Sequence, residues 1–271
     1  MKKILHIPVS IRSWLTGKGP FSAVMHLEGK AFRDVKGRKT IQVRLGEHSY
    51  FVKQHFGVGW GEIFKNLLSF KVPILSAMTE VYAIQALNAV GIPTTPLVAY
   101  GRHGWNPAKL QSFVMTEDLG DIVSLEELCA DWLANPPDDT FKQKLIVSVA
   151  ELAAKLHQAG LCHRDFYLCH FVMKRAELEA GEIKLYLIDL HRMLQQQSVS
   201  GNTVMKDIAG LYFSAMDCGL TPADIDLFKQ HYLPQSDAFW QQVCERAEKL
   251  HDKFNSDKFQ KRLAQEKSAI Q

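Results

Sequence analysis

The 271-residue chain has no apolar run near the roughly 20 residues of a membrane span, so no spanning helix is expected. Its start, Met1 to Trp14, carries two lysines and then only a short, interrupted apolar stretch, so a cleaved signal peptide is not expected either. Cysteine is sparse. The five residues Cys129, Cys162, Cys169, Cys218 and Cys244 make an odd count with no C-x-x-C pair. That pattern argues against a disulfide framework and for a reducing cytosol. A dominant charge of one sign is also missing. A net charge of +3 suits an anionic ligand or a membrane surface, and it is too mild to argue for nucleic acid. Repeats and low-complexity tracts are absent. What remains is an ordinary globular composition, 46% hydrophobic and 23% charged, able to bury a full core in one large domain or two lobes.

The most informative stretch runs from Leu161 to Met193. An apolar helix striped by Phe141, Leu145, Val149, Leu152 and Leu156 ends at Gly160, with Thr140 and Gln143 read as its capping box. A loop then presents His163-Arg164-Asp165. Two strand-like runs follow, Phe171 to Lys174 and Ile183 to Ile188, joined by a polar turn with Gly181, and the second ends at Asp189. Such a hairpin is expected to bring Asp165 and Asp189 together. Phosphoryl transfer needs that pair: one carboxylate to hold the acceptor hydroxyl, another to hold magnesium on the nucleotide phosphates. Protein kinases take the first from H-R-D-L-x-x-x-N and the second from D-F-G. Here the asparagine position is His170, a departure. Magnesium prefers oxygen ligands, so His170 is read as acting on the metal through water or as orienting Asp165. Cys162-His163 and Cys169-His170 also raise the alternative of a soft-metal site, but adjacent Cys-His pairs converge poorly on one tetrahedral ion.

Upstream, Thr40 to Leu45 and Tyr50 to Lys53 read as an antiparallel pair around Gly46-Glu47-His48, with Lys53 at the strand end. A kinase lysine there grips the α- and β-phosphates and needs a glutamate on the next helix. The helix Thr79 to Val90 supplies Glu80. Leu97 to Tyr100 and Ser112 to Thr116 complete a small sheet. Glu117 to Gly120 reads as a hinge whose backbone binds adenine. Asp207, in a later helix, stands where kinases anchor the catalytic loop. Trp60, Ile63, Phe64, Leu67 and Leu68 give an amphipathic stretch flanked by Lys65 and Lys71, suited to a membrane surface or to packing on the small lobe. Two parts are lacking. No A-P-E closes an activation loop, and Gly29 to Arg38 is not G-x-G-x-x-G; phosphate contacts from Lys36, Arg38 or Lys39 are the expected compensation.

The expected fold is α+β, protein-kinase-like and two-lobed, a small antiparallel sheet lobe plus a helical lobe. The boundaries read as a lead-in over 1–20, a nucleotide-binding lobe over 21–117, a mainly helical catalytic lobe over 118–255 and a charged tail over 256–271. The strings HRDFYLCHF, IDLHR, WGEIFKNLL and FVK resemble the lipopolysaccharide core heptose(I) kinases of Gram-negative bacteria, from about residue 18 to about residue 215. The resemblance implies ATP-dependent phosphorylation of the first heptose of the inner core, on the cytoplasmic face of the inner membrane, with magnesium. It implies Asp165 as catalytic base, Asp189 as metal ligand, Lys53 as phosphate lysine and Glu80 as its partner. It also implies association with acyl carrier protein. A Kdo kinase, a protein kinase and a non-catalytic pseudokinase are the competing readings.

Overall fold

A computed structural model describes residues 4–17, 19–35, 37–68, 75–196 and 201–268. The chain divides into two compact units. One comprises Met1–Ile122 with Tyr186–Met193, the other Val123–Leu185 with Leu194–Gln271.

The first unit is built on an antiparallel sheet in the order β1-β5-β6-β4-β3-β2. Its strands are β1 (Ile4–His6), β2 (Lys30–Val35), β3 (Arg38–Leu45), β4 (His48–His55), β5 (Leu97–His103) and β6 (Gln111–Glu117). The first twenty residues, read as a lead-in, contain the edge strand β1, which pairs with β5. Likewise β2 occupies the stretch searched for a phosphate loop. The β3–β4 hairpin closes on Gly46-Glu47, between Leu45 and His48. Gly46 takes φ 63, which a glycine at the first central position of a primed turn adopts without strain. Period-two alternation then sorts the side chains. Ile41, Val43, Tyr50, Val52, Phe113 and Met115 pack with Ile11 of α1 (Val9–Arg12) and Phe21, Val24 and Met25 of α2 (Pro20–Met25) into one core. Lys53, between Val52 and the buried Gln54, is sent to the opposite face.

Two more helices belong to this unit, α3 (Gly59–Leu68) and α4 (Met78–Ala89). In α3, Ile63 is buried, whereas the Trp60 and Phe64 rings meet at a tilt, 5.9 Å apart, and stay 51% and 58% exposed. Lys36 and Lys71 lie outside the described residues, as do the side chains of Lys65, Leu67 and Leu68. Helix α4 has no side-chain cap; its start is fixed by the Ala77 amide donating to Ser112 Oγ on β6 at 2.9 Å. Val81, Ile84 and Leu87 are fully buried, as their spacing predicts.

The second unit is mainly helical: α5 (Leu125–Cys129), α6 (Asp139–Gln158), α7 (Arg175–Glu179), α8 (Gly201–Ala215), α9 (Pro222–His231), α10 (Asp237–Asn255) and α11 (Asp257–Ser268). Ser124 and Glu127 form a capping box at the start of α5. For α6 the cap is Asp138, whose carboxylate accepts from Phe141 N, not the predicted Thr140. Both residues sit before the same apolar stripe, but the helix starts at Asp139, which leaves Asp138 at the cap and puts Thr140 inside the first turn. The predicted turn after Phe171–Lys174 contains a short helix, α7, and the following strand shrinks to Tyr186–Leu187. An apolar cavity of about 110 Å³ lies among α5, α6, α8, α9 and α10, lined by Leu125, Trp132, Leu145, Leu211, Phe228 and Trp240 among others. No helix among the described residues is long and apolar enough to cross a membrane.

Candidate active site

In the first unit, three sequence-predicted residues come together. Lys53 Nζ lies 2.7 Å from Glu80 Oε1 and 3.3 Å from Asp189 Oδ1. Glu80 is only 5% exposed, on the first turn of α4, where the helix dipole also favours a carboxylate. Burial lowers the Lys53 pKa, but the charges of Glu80 and then Asp189 outweigh it, and the ammonium is held above its usual range. A permanently charged lysine is what phosphate binding needs.

Asp189 owes its position to the chain on either side. Upstream, Leu187 N donates to Pro93 O at 3.0 Å, and Thr94 Oγ1 donates to Leu187 O at 2.6 Å. Asp189 itself is left-handed, φ 58 and ψ 54, a conformation rare for non-glycine residues and found where function holds it. Downstream, a single 3-10 turn packs on α4 and carries His191, whose Nδ1 donates to Asp189 Oδ1 at 2.7 Å. His191 was not among the predicted site residues. Its signal was present in the string Asp189-Leu190-His191, where the third position of a kinase motif holds glycine.

Glu117 closes β6 with an exposed side chain. Its amide donates to Pro96 O, and the Asp118 amide donates to Ser49 O. Asp118 then accepts from Gln42 Nε2 at 2.6 Å, Ser49 Oγ at 2.8 Å and Gly120 N at 2.9 Å. Burial raises its pKa, but the Gly120 amide and the Ser49 and Gln42 side chains prevail and keep the carboxyl below its usual range. The Asp118 carboxylate thus ties the 117–120 turn to β3 and β4.

In the second unit, the His163-Arg164-Asp165 loop is pinned to α8. Asp207, 2% exposed, accepts from His163 N at 2.7 Å and from Arg164 N at 2.9 Å. Seven residues along the same helix, Ser214 Oγ accepts from Leu168 N at 3.0 Å. Arg164 is left-handed, φ 71, which turns the chain so that both amides reach one carboxylate. His157 Nε2 lies 3.4 Å from Asp207 Oδ2, and its Nδ1 lies 2.7 Å from Tyr232 Oη. A carboxylate only accepts, so in the neutral ring Nε2 carries the proton and Tyr232 donates to Nδ1. His157 was also missed in the sequence, being hidden on the buried face of α6. His170 Nδ1 donates to the Asp165 carbonyl at 2.6 Å, and its ring stacks on His163 at 5.4 Å. Of the residues raised for a soft-metal site, only Cys162 falls in a group of three possible ligands among the described residues, with His157 and Asp207. Burial, then Asp207, push its thiol up to about 12.

A strand lysine paired with a buried helix glutamate, a left-handed aspartate beside them, and an H-R-D loop anchored by a helix aspartate are the parts of a kinase-type phosphotransferase. The model of the lipopolysaccharide kinase (Kdo/WaaP) family matches residues 22–232, and the chain belongs to that family. It is 42% identical over 233 residues to "Lipopolysaccharide core heptose(I) kinase WaaP" of Pseudomonas aeruginosa, covering 86% of each chain. It is 43% identical over 217 residues to the protein of the same name in Escherichia coli (strain K12), covering 80% of this chain and 82% of that one. Among solved structures, "WaaP in complex with acyl carrier protein" superposes with a TM-score of 0.78 at 34% identity, over 93% of this chain and 100% of that one.

Proposed function

We propose that this protein transfers the γ-phosphoryl group of ATP to a hydroxyl of the first heptose of the lipopolysaccharide inner core. The observation that carries the reading is the Lys53–Glu80–Asp189 cluster, with the ammonium held charged by two carboxylates. The acceptor follows from relatives that bear that activity in their names at 42% and 43% identity.

In this reading Lys53 binds the α- and β-phosphates, and Glu80 fixes its direction. The hinge backbone at Glu117 receives adenine. Asp165 accepts the proton of the heptose hydroxyl as its oxygen attacks phosphorus and ADP departs. His170 spends Nδ1 on the Asp165 carbonyl, so its first task is to hold that residue in place, and any part in metal binding falls to Nε2 through water. Asp189 would hold magnesium through the hard oxygen donor that ion prefers, and the ion would neutralise charge on the phosphates.

Two associations belong to the same proposal. Acyl carrier protein is the proposed partner, since the similar solved structure contains it, and the apolar cavity of the second unit has the chemistry to take an acyl chain. The exposed Trp60 and Phe64 on α3, with Trp105 80% exposed, suit peripheral contact with the cytoplasmic face of the inner membrane. The deciding experiment offers purified truncated core acceptors with labelled ATP. Label on heptose-bearing acceptors is expected; label only on Kdo, or on protein, would replace the acceptor, and no transfer at all would favour a pseudokinase.

A further inference from the structure

Protein kinases cover the nucleotide phosphates with a glycine-rich loop. In this chain the corresponding β2–β3 turn is tied elsewhere. The Gly37 carbonyl accepts from Phe56 N at 2.9 Å. Gly37 has φ 83, and a Cβ there would stand 2.6 Å from the Gly57 carbonyl oxygen. The turn is thus docked against the chain leaving β4, which sets the register of everything that follows it.

In that register Arg38 faces His55 and Thr40 faces Lys53. Residues opposite one another on antiparallel strands project from the same face of the sheet. Arg38 therefore shares a face with Lys53. Lys39 faces Gln54, whose buried side chain donates to Val24 O at 2.8 Å on the other face. Of the basic residues at this turn, the register selects Arg38 over Lys39. His55 is 7% exposed, and its Nδ1 has no partner among the described residues. Burial first, and then Arg38, Lys53 and His191, push its pKa down to about 3. The neutral ring adds no charge to a group of three basic side chains gathered around it.

We propose that Arg38 binds the polyphosphate of ATP beside Lys53, its guanidinium doing what backbone amides do in a glycine-rich loop. The proposal rests on the nucleotide reading above and names a residue for the part that reading lacks. A guanidinium presents a planar fork that matches phosphate oxygens two at a time.

The test is calorimetric titration of the full chain with ATP and with AMP, each with magnesium. Arg38→Gln is expected to lose about ten-fold or more in ATP affinity, the worth of a charge-assisted hydrogen bond, while AMP affinity stays near that of the wild type. Lys39→Gln is expected to leave both unchanged. Wild-type ATP affinity in Arg38→Gln overturns the proposal. So does an equal loss for ATP and AMP, or a loss in Lys39→Gln matching that in Arg38→Gln. A second measurement needs no variant: ATP, and not adenosine, is expected to protect Arg38 from phenylglyoxal in the wild-type chain, read by peptide mass spectrometry. Equal labelling with and without ATP overturns the proposal as well. A wild-type chain that binds no ATP at all would remove the nucleotide reading itself, and this proposal with it.

Discussion

Lys53 has two carboxylate neighbours at unequal distances, Glu80 at 2.7 Å and Asp189 at 3.3 Å, and the difference assigns their work. The nearer is buried, whereas the farther is 36% exposed. Glu80→Ala leaves the ammonium in a site built for a pair, so it is expected to lower stability by about 3 kcal/mol in urea unfolding and to raise the KM for ATP. Asp165→Ala is expected to lower turnover by about 10² to 10⁴ without changing ATP affinity, as loss of a general base does. His55 gives a pH prediction. Its folded pKa of about 3 lies below the ordinary 6.5, so between those values the unfolded chain binds the extra proton. Stability must therefore fall as pH drops from 6.5 toward 3, by up to about 1.4 kcal/mol per unit from this one group. Across that range the urea midpoint of the wild type is expected to fall more steeply with acid than that of His55→Phe. The Lys53–Glu80 pair was legible in the sequence because a strand-ending lysine and a glutamate in the first turn of the next helix follow in order. His191 and His55 were not, because their meaning arises from contacts with residues far away in the chain.

At the scale of elements, the first unit depends on Phe113, which is fully buried in the centre of β6 and meets Phe21 of α2 at 5.5 Å. Phe113→Ala is expected to cost about 3–5 kcal/mol, read as a lowered melting temperature. Strands β3 to β6 and helices α4 and α6 could be read from periodicity, with ends shifted by a residue or a few. What could not be read was decided by competition or by tertiary position. Asp138 and Thr140 were rival caps for one helix start. The stretch over β2 lacks clean alternation, and a bulge between Ala31 and Arg33 explains why. Arg175–Glu179 reads as part of a turn in the sequence because five residues are too few to show a helical period.

At the scale of the whole molecule, the peripheral membrane contact proposed above rests on a net charge of +3 and on exposed aromatics such as Trp60 and Phe64. The double variant Trp60→Ala with Phe64→Ala is expected to lose co-sedimentation with phosphatidylglycerol vesicles while keeping its activity on a soluble acceptor. Unchanged sedimentation would end the membrane role given to α3. Family and fold class were legible from HRDFYLCHF and its neighbours; that Ile63 packs while Trp60 and Phe64 of the same apolar stretch stay exposed was not, because exposure is invisible to periodicity. One buried carboxylate has a further consequence. The amide protons of His163 and Arg164 both end on Asp207, deep in the helical unit, so neither can trade with solvent until α8 pulls away. In heavy water those two hydrogens should serve as a slow clock, still counting after the surface amides have run down, and Asp207→Ala should start that clock ticking early.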